Sequence, residues 1–282
     1  MREKPLLIRE EVFFWLSAMT IRLTSEQIER YSRQIMIPDL GGKGQIRLRK
    51  GRALVIGAGG LGCPAAFYLA AAGVGTLGIV DSDRVELSNL HRQILHSMLD
   101  IGRQKVESAK EKLNRLNPEV EIRMHPVALS EDNAAEIFAA YDFIIDGSDN
   151  FATKFLVNDA AVGLGKAFSH AGIIRLQAQT MTVIPGKSAC YRCLFKDPPA
   201  PGEIPGCQQA GILGAIAGTA GSIQATEAIK YLLGMEEDLL VDRLLTYDGK
   251  EMKFRIIEVR RDPQCKTCGV KGLGELKRTS AV

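Results

Sequence analysis

A glycine-rich turn between a strand and a helix constrains the fold of this chain most. The segment GAGGLG at residues 57–62 follows a β-type run at 53–56 and opens a Gly/Ala-rich helix that extends to about residue 72. Glycines permit a tight turn and close backbone approach, so amide groups at the helix N-terminus can face a phosphate. A cluster of glycines that only packs a helix is the alternative. The candidate nucleotide-binding glycines are Gly57, Gly59, Gly60 and Gly62.

The alternation of short β-type runs with helical stretches continues to about residue 172 and predicts a parallel sheet built from βαβ units. Residues 178–184 then alternate small or polar with apolar side chains, which suits an antiparallel strand with one face in water. A proline- and glycine-rich loop, a helix at 219–233 and two more β-type runs follow. We therefore predict an α/β, Rossmann-like fold with a mixed, mostly parallel sheet, flanking helices and an antiparallel C-terminal extension.

The ends of the chain differ in pattern from its centre. Residues 1–22 carry no sustained period and are interpreted as an N-terminal extension, while residues 271–282 form a polar tail. Between them we expect one domain, residues 23–270. Its first helix is predicted from the capping-box pair Thr24 and Gln27, and this helix carries Arg33.

Charged residues gather near the glycine turn. Asp81 ends the next strand, 19 residues after Gly62, where a carboxylate can accept hydrogen bonds from ribose hydroxyls. Arg92 and Lys105 lie at or near the loop side of the same βα unit. Converging cations suit phosphoryl or nucleotidyl transfer, because negative charge grows on the leaving group, whereas hydride transfer has no such need. The alternatives are a strand-end cap for Asp81 and a solvated charged face for the two cations.

A second polar segment follows the buried run at residues 142–145. It places Asp149 and Asn150 at the carboxyl edge of the sheet, where open α/β sheets bind ligands. Asp149 is a candidate Mg²⁺ ligand. Either residue could instead cap the helix that follows, and one residue can do both.

The cysteines indicate a metal site. Cys190 and Cys193 form one Cys-x-x-Cys pair, and Cys265 and Cys268 form another, which is the spacing of a structural Cys₄ zinc site. A redox dithiol and a nucleic-acid-binding zinc ribbon are the rival interpretations. The formal net charge of +3, from 36 Lys+Arg against 33 Asp+Glu, argues against nucleic acid as a partner. The four histidines show no ligand spacing and receive no role.

Cysteine usage and hydropathy together predict the location of the protein. A metal site built from thiols suits a reducing compartment. The longest apolar run near the start, residues 12–19, is far shorter than the roughly 18 residues needed to cross a bilayer. We expect a cytoplasmic protein with no membrane span.

These motifs together resemble the ThiF/MoeB/HesA family, bacterial relatives of the ubiquitin-activating enzymes. The resemblance covers about residues 23–269 and rests on RYSRQ at 30–34, GAGGLGCP at 57–64, LSNLHRQ at 87–93, GRQK at 102–105, Asp149-Asn150 and the two cysteine pairs. It implies that Asp81 holds the ribose of ATP, that Asn89, Arg92 and Lys105 contact the phosphates, and that Asp149 organises Mg²⁺. We place three further residues in the same nucleotide site: Asp83, Gln93 and Asn150.

Two further roles also follow from the resemblance. Arg33 would reach the active site of the neighbouring subunit, which implies a homodimer with composite sites. Cys207 corresponds to a loop cysteine that some relatives use for a covalent intermediate with the carrier protein, whereas others carry it without needing it.

The implied activity is ATP-dependent adenylation of the C-terminal Gly-Gly carboxylate of a ubiquitin-like sulfur-carrier protein, with release of pyrophosphate. The sulfur could be destined for molybdopterin, thiamin, a thiolated tRNA or another product. Because the chain stops soon after the second cysteine pair, we expect a separate sulfur donor, a rhodanese or a cysteine desulfurase. An NAD-dependent oxidoreductase and a non-catalytic nucleotide-binding zinc scaffold are the alternatives.

Overall fold

The structure is a computed structural model that describes residues 22–200 and 210–269. The chain divides into two compact units between Ile46 and Arg47. Of the predicted N-terminal extension, Arg22 alone is described, and the predicted tail at 271–282 and Cys207 lie outside the described residues.

The N-terminal unit begins with the predicted capping box. The Thr24 hydroxyl oxygen accepts a hydrogen bond from the Gln27 main-chain N–H (3.2 Å), and Gln27 Oε1 accepts one from the Thr24 N–H (2.9 Å). The helix is shorter than its pattern suggests, because Tyr31 leaves the helical region at φ −99° and ψ 11°. Helix α1 (Ser25–Arg30) therefore ends there, and Arg33 lies on a separate short helix, α2 (Ser32–Ile35).

Helix α3 (Gly41–Leu48) leads into the second unit, which is built on one mixed sheet with strand order β3-β2-β1-β4-β5-β6-β7-β8. Neighbours from β3 to β5 are parallel, and neighbours from β5 to β8 are antiparallel, as predicted. The strands are β1 Arg52–Ile56, β2 Thr76–Val80, β3 Glu121–His125, β4 Phe143–Asp146, β5 Ala167–Ile174, β6 Gln177–Val183, β7 Arg243–Asp248 and β8 Lys253–Glu258.

Helices connect the parallel strands and extend the second unit. The remaining helices are α4 Gly62–Ala72, α5 Lys105–Leu116, α6 Glu131–Ala139, α7 Phe151–Gly163, α8 Tyr191–Leu194 and α9 Gly214–Leu233. Helices α4 and α9 both end at a glycine in the left-handed conformation, Gly73 with φ 78° and Gly234 with φ 82°. Residues that carry a side chain rarely adopt this conformation. Strands β2 and β4 are buried along their whole length, because helices cover the parallel part of the sheet.

The prediction that one face of strand β6 is exposed to water is wrong. Thr180 and Thr182 are buried, although their polarity suggested solvent contact. Their hydroxyls are satisfied internally, since Thr180 donates to the His170 carbonyl (2.8 Å) and Thr182 donates to the Glu227 carboxylate on α9 (2.7 Å). A threonine with an internal acceptor can line a covered face, and alternation alone does not distinguish the two cases.

Helix α9 begins five residues before its predicted start at Thr219. Its additional first turn buries Ile216 and Ala217. Within residues 22–200 and 210–269, no helix combines the length and apolar character that a membrane span requires.

Candidate active site

The glycine turn follows β1 and requires glycine at two positions. Gly57 has φ +88°, and its N–H donates to the Val80 carbonyl (2.7 Å), which links the turn to β2. Gly62 opens α4 so close to the turn that a Cβ there would lie 1.7 Å from the Gly57 oxygen. These contacts fix the strand-to-helix turn in the compact shape that a nucleotide-binding loop needs.

Gly59 faces open space instead. A Cβ at this position would meet no described atom closer than Gln93 Nε2, at 3.9 Å. Gly60 is tighter, because its Cβ would lie 3.2 Å from the Cβ of Ala217 on α9. The turn therefore presents bare backbone at Gly59 while Gly60 and Gly62 pack against protein.

Asp81 lies directly after β2, and its side chain is only 8% exposed. Its carboxylate oxygens accept hydrogen bonds from the main-chain N–H groups of Ala58 and Asp83, each at 2.8 Å. Burial raises the pKa of the Asp81 carboxyl, and the ammonium group of Lys105, 3.9 Å away, opposes that shift. Each oxygen retains a lone pair, so the carboxylate can also accept a ligand hydroxyl.

Lys105 is the first residue of α5 and is buried. Its Nζ donates to the Asp83 carboxylate at 2.8 Å, and this partner is exposed. The ammonium group of Lys105 thus lies between the carboxylates of Asp81 and Asp83, at the carboxyl ends of the parallel strands. An entering phosphate would offer a third anionic partner in place of solvent-exposed Asp83.

The segment from residue 86 to residue 93 adds three polar side chains. Asn89 Oδ1 accepts a hydrogen bond from the Glu86 N–H (3.2 Å), and Arg92 Nη1 donates to the Ser88 carbonyl (2.8 Å). Gln93 is buried, and its Oε1 has no partner among the described residues. A buried amide oxygen without a donor is unfavourable by about 1–3 kcal/mol, which suits a position completed by a ligand.

The two polar residues after β4 differ in what they do. Asn150 is the N-cap of α7, since its Oδ1 accepts a hydrogen bond from the Thr153 N–H (2.8 Å), as the cap alternative predicted. Asp149 is exposed, and no described residue donates a hydrogen bond to its carboxylate. A free carboxylate oxygen is the ligand type that Mg²⁺ prefers, so the residue fits the predicted cation.

One cleft of about 1150 Å³ joins these positions. From the first two βα units it is lined by Gly57, Gly59, Gly60, Asp81, Asp83 and Lys105. The other predicted residues that line it are Asn89, Arg92, Gln93, Asp149 and Asn150. Gly62 packs beneath the turn, and Arg33 lies in the N-terminal unit.

Sequence reasoning missed a buried charged group in the wall of this cleft. His170 Nδ1 lies 2.8 Å from Asp146 Oδ2, and Lys154 Nζ lies 3.5 Å from the same oxygen. Asp146 ends β4 and His170 is its partner in β5, a register that residue spacing does not reveal. The signal available in the sequence was the carboxylate at a strand end, which also marked Asp81.

The two cysteine pairs come together as predicted. All four thiol sulfurs lie within 4.8 Å of one another, with Cys190 and Cys265 Sγ 3.6 Å apart and Cys193 and Cys268 Sγ 3.3 Å apart. Tetrahedral zinc with Zn–S bonds of about 2.3 Å separates its sulfurs by about 3.8 Å, so the set fits with little movement. The cluster can hold a metal ion such as zinc, and four protein ligands leave no position for an activated water.

Comparisons with known proteins agree with the geometry. The ThiF family profile matches residues 31–267. The chain is 46% identical over 254 residues to the sulfur carrier protein adenylyltransferase of Thermus thermophilus, covering 88% of this chain and 93% of that protein. It is 49% identical over 245 residues to the probable adenylyltransferase/sulfurtransferase MoeZ of Mycobacterium tuberculosis, covering 86% of this chain.

The match to MoeZ spans 62% of the length of that relative. Among solved structures, E. coli MccB superposes with a TM-score of 0.76 at 23% identity, covering 88% of this chain and 74% of that one. At this identity the likeness concerns the fold alone.

Proposed function

This chain belongs to the ThiF family, and from that premise we propose that it adenylates the C-terminal carboxylate of a ubiquitin-like sulfur-carrier protein ending in Gly-Gly. ATP is the second substrate and pyrophosphate the product. The observation that carries the proposal is the cleft in which the open glycine turn, Asp81, Arg92 and Lys105 meet. The name of the Thermus thermophilus relative supports the same substrate class.

The cations distinguish this reaction from hydride transfer. A nicotinamide site needs the glycine turn and a ribose carboxylate, but it gives no role to a buried Lys105 or to Arg92 beside the phosphates. Charge that develops on a leaving pyrophosphate gives both a role. The NAD-dependent alternative is therefore not favoured.

The chemical step is a displacement at phosphorus. A carboxylate oxygen of the carrier forms a bond to the α-phosphorus of ATP, and the bond from that phosphorus to the oxygen bridging to the β-phosphate breaks. The bonding electrons leave with pyrophosphate, and no proton moves, because a terminal carboxylate is already ionised near pH 7. Positioning and charge neutralisation therefore supply most of the catalysis.

We assign the chain's own groups accordingly. Asp81 accepts from the ribose, Asn89 and Gln93 bind polar atoms of the nucleotide, and Arg92 and Lys105 neutralise the phosphates. Asp149 would hold Mg²⁺, which supplies further positive charge to the triphosphate when bound. The Cys₄ cluster would hold Zn²⁺ as a structural ion that ties α8 to the segment after β8.

The wider setting of the reaction is also a proposal. Arg33 would enter the site of a neighbouring subunit, so the active species would be a homodimer. A separate rhodanese or cysteine desulfurase would supply sulfur to the adenylated carrier, in molybdopterin or thiamin biosynthesis in the cytoplasm. Cys207 would be available for a covalent intermediate in that second stage.

The test is isotope exchange between ATP and pyrophosphate by the purified protein with Mg²⁺, measured with and without candidate small proteins ending in Gly-Gly. We expect exchange that requires a carrier and is lost in Asp149→Ala. Tight ATP binding without exchange for any carrier would favour the nucleotide-binding scaffold instead. Deletion of the carrier's last glycine is the matched control, because it removes the reacting carboxylate from its position without changing the enzyme.

A further inference from the structure

His170 is a buried histidine in the wall of the cleft with one ring nitrogen unused. It lies on β5, and its side chain is 1% exposed. Nδ1 is held by Asp146, whereas Nε2 is buried and has no partner among the described residues. The ring packs against Tyr191 with 4.1 Å between ring centroids, so its orientation is fixed from the other side.

The surroundings of the ring determine which nitrogen carries hydrogen. Burial alone would raise the pKa of the Asp146 carboxyl, but the Lys154 ammonium and hydrogen bonds from His170 and Ser148 outweigh it and hold that pKa well below its usual range. Asp146 is therefore an acceptor, and His170 Nδ1 must carry the hydrogen. Burial, assisted by Lys154, lowers the pKa of His170, so the ring is neutral near pH 7 and Nε2 presents a lone pair.

A lone pair limits the chemistry of the missing partner. It repels carboxylate and phosphate oxygens and accepts a hydrogen bond from an N–H or O–H group. The ribose is not that partner, because Asp81 follows β2, and β2 is separated from β5 by three strand spacings, about 14 Å. The group that His170 binds belongs to a part of the cleft on the other side of the glycine turn from Asp81.

That part of the cleft lies over the antiparallel strands, away from Asp81. The cleft continues over the antiparallel strands, where Gly172, Gln179 and Tyr247 line it. Gly172 lies two residues after His170 on the same face of β5, and the side chain of its β6 partner Gln179 lies beside it, with Nε2 3.5 Å from where a Cβ would stand. The whole cleft, with the part assigned to the nucleotide included, has a volume of about 1150 Å³.

We propose that His170 Nε2 accepts a hydrogen bond from a main-chain N–H in the C-terminal segment of the carrier protein. This bond would align the extended segment so that its carboxylate approaches the α-phosphorus. The inference rests on the proposed function, and it makes His170 a carrier-binding residue, with Asp146 and Tyr191 as the groups that position it.

The test combines a variant of the enzyme with a variant of the carrier. Semisynthetic carriers carry an ester in place of one of the last peptide bonds, one position at a time, so that a single N–H is replaced by oxygen. Pyrophosphate exchange is measured for wild type, His170→Ala and His170→Gln. Glutamine is the matched control, since its amide can donate to Asp146 and still offer an oxygen acceptor.

We expect His170→Ala to raise the KM for the carrier about five- to ten-fold and to leave the KM for ATP within about two-fold. With wild type, one of the ester carriers should show a KM raised by a similar factor over the all-peptide carrier. With His170→Ala, the same ester should cause no further rise in KM. His170→Gln should recover much of the loss. An equal effect of every ester on wild type and His170→Ala, or a rise confined to the KM for ATP, would overturn the inference.

Two controls keep the result decisive. If His170→Ala does not fold, the ¹⁵N resonance of Nε2 in the wild-type protein replaces it: the resonance should shift when the carrier binds and should not shift with the critical ester carrier. An unchanged resonance with the all-peptide carrier refutes the bond. If wild type shows no carrier-dependent exchange at all, the proposed function fails as well, whereas normal exchange without coupling to His170 refutes this inference alone.

Discussion

Asp81 ties strand β2 to the glycine turn, because its Oδ2 accepts a hydrogen bond from the Ala58 main-chain N–H at 2.8 Å. The same carboxylate receives the Asp83 N–H at 2.8 Å through its other oxygen. A residue proposed to bind the ribose therefore also shapes the loop that faces the phosphates. The two roles can be separated by substitution.

We expect Asp81→Ala to weaken ATP binding at least ten-fold, because it removes the ribose ligand and the acceptor for Ala58 together. Asp81→Asn keeps one side-chain oxygen for the Ala58 N–H and should lose less affinity. Calorimetric titration with a non-hydrolysable ATP analogue measures both. Equal affinity of Asp81→Ala and wild type would remove Asp81 from the site.

Gly62→Ala should destabilise the protein severely. The new Cβ would lie 1.7 Å from the Gly57 oxygen and 2.9 Å from the Gly57 carbonyl carbon, so the turn and α4 must separate. Strain in a well-packed region typically amounts to about 1–3 kcal/mol, and a clash with backbone belongs at or above the upper end.

The matched control is Gly218→Ala on α9, where a Cβ meets no atom within 4 Å outside the helix's own backbone. This substitution should stabilise the protein by about 0.5–1 kcal/mol, because alanine favours helix. Urea unfolding of both variants gives the comparison. Equal stability of Gly62→Ala and wild type would mean that the turn tolerates a side chain.

Much of this arrangement could be predicted from local sequence. The glycine turn, Asp81 and Lys105 are encoded by short spacings within one βα unit, and their positions follow once the strands are parallel. The Asp146–His170 pair could not be predicted in this way. It depends on the register of β4 against β5, which brings together residues 24 positions apart.

The covered face of β6 shows the same limit. Thr182 looks like a solvent-facing residue until the Glu227 carboxylate on α9 is placed beside it. Gln93 is the opposite case, because its place in a recognisable string marked it as a candidate, but only the fold shows that its Oε1 is buried and has no partner among the described residues.

The cysteine cluster predicts a clear metal stoichiometry. Purified protein should contain about one zinc per chain, and Cys268→Ser should lose the metal and unfold at a lower temperature. Cys63→Ala is the control, since Cys63 is a buried residue at the start of α4, outside the four-cysteine cluster, and burial raises the pKa of its thiol to about 12. Elemental analysis together with thermal unfolding decides the point. Metal retained in Cys268→Ser would place the ion elsewhere.

If each active site combines Lys105 of one subunit with Arg33 of the other, two inactive variants should restore activity when they form a mixed dimer. Arg33→Ala and Lys105→Ala should each lose exchange activity when assayed alone. In an equal mixture with subunit exchange, half of the dimers are mixed, and each mixed dimer regains one of its two sites, so about a quarter of wild-type activity should return. Activity of the mixture no greater than that of the separate variants would place Arg33 in its own subunit's site or outside the reaction.

Stability should fall as the solution is acidified from about pH 8 to about pH 5. Burial lowers the pKa of His96, His125 and His170, so near pH 6.5 the unfolded chain binds protons that the folded chain does not. Protons therefore favour the unfolded state, and the stability that these groups contribute is fully present above the unfolded pKa. The lowered pKa of Asp146 acts in the same direction, but only below about pH 4.

Urea unfolding across this range gives the slope of the free energy against pH. For His170→Gln this slope should be smaller than for wild type, by the equivalent of up to one proton. This holds even if the variant is less stable at pH 8, because the slope depends only on the difference in bound protons between the unfolded and folded states. Exposed His91 provides the control, and His91→Gln should retain most of the wild-type slope. A wild-type slope of zero between these pH values would mean that the rings of His96, His125 and His170 accept protons in the folded state as readily as in the unfolded chain.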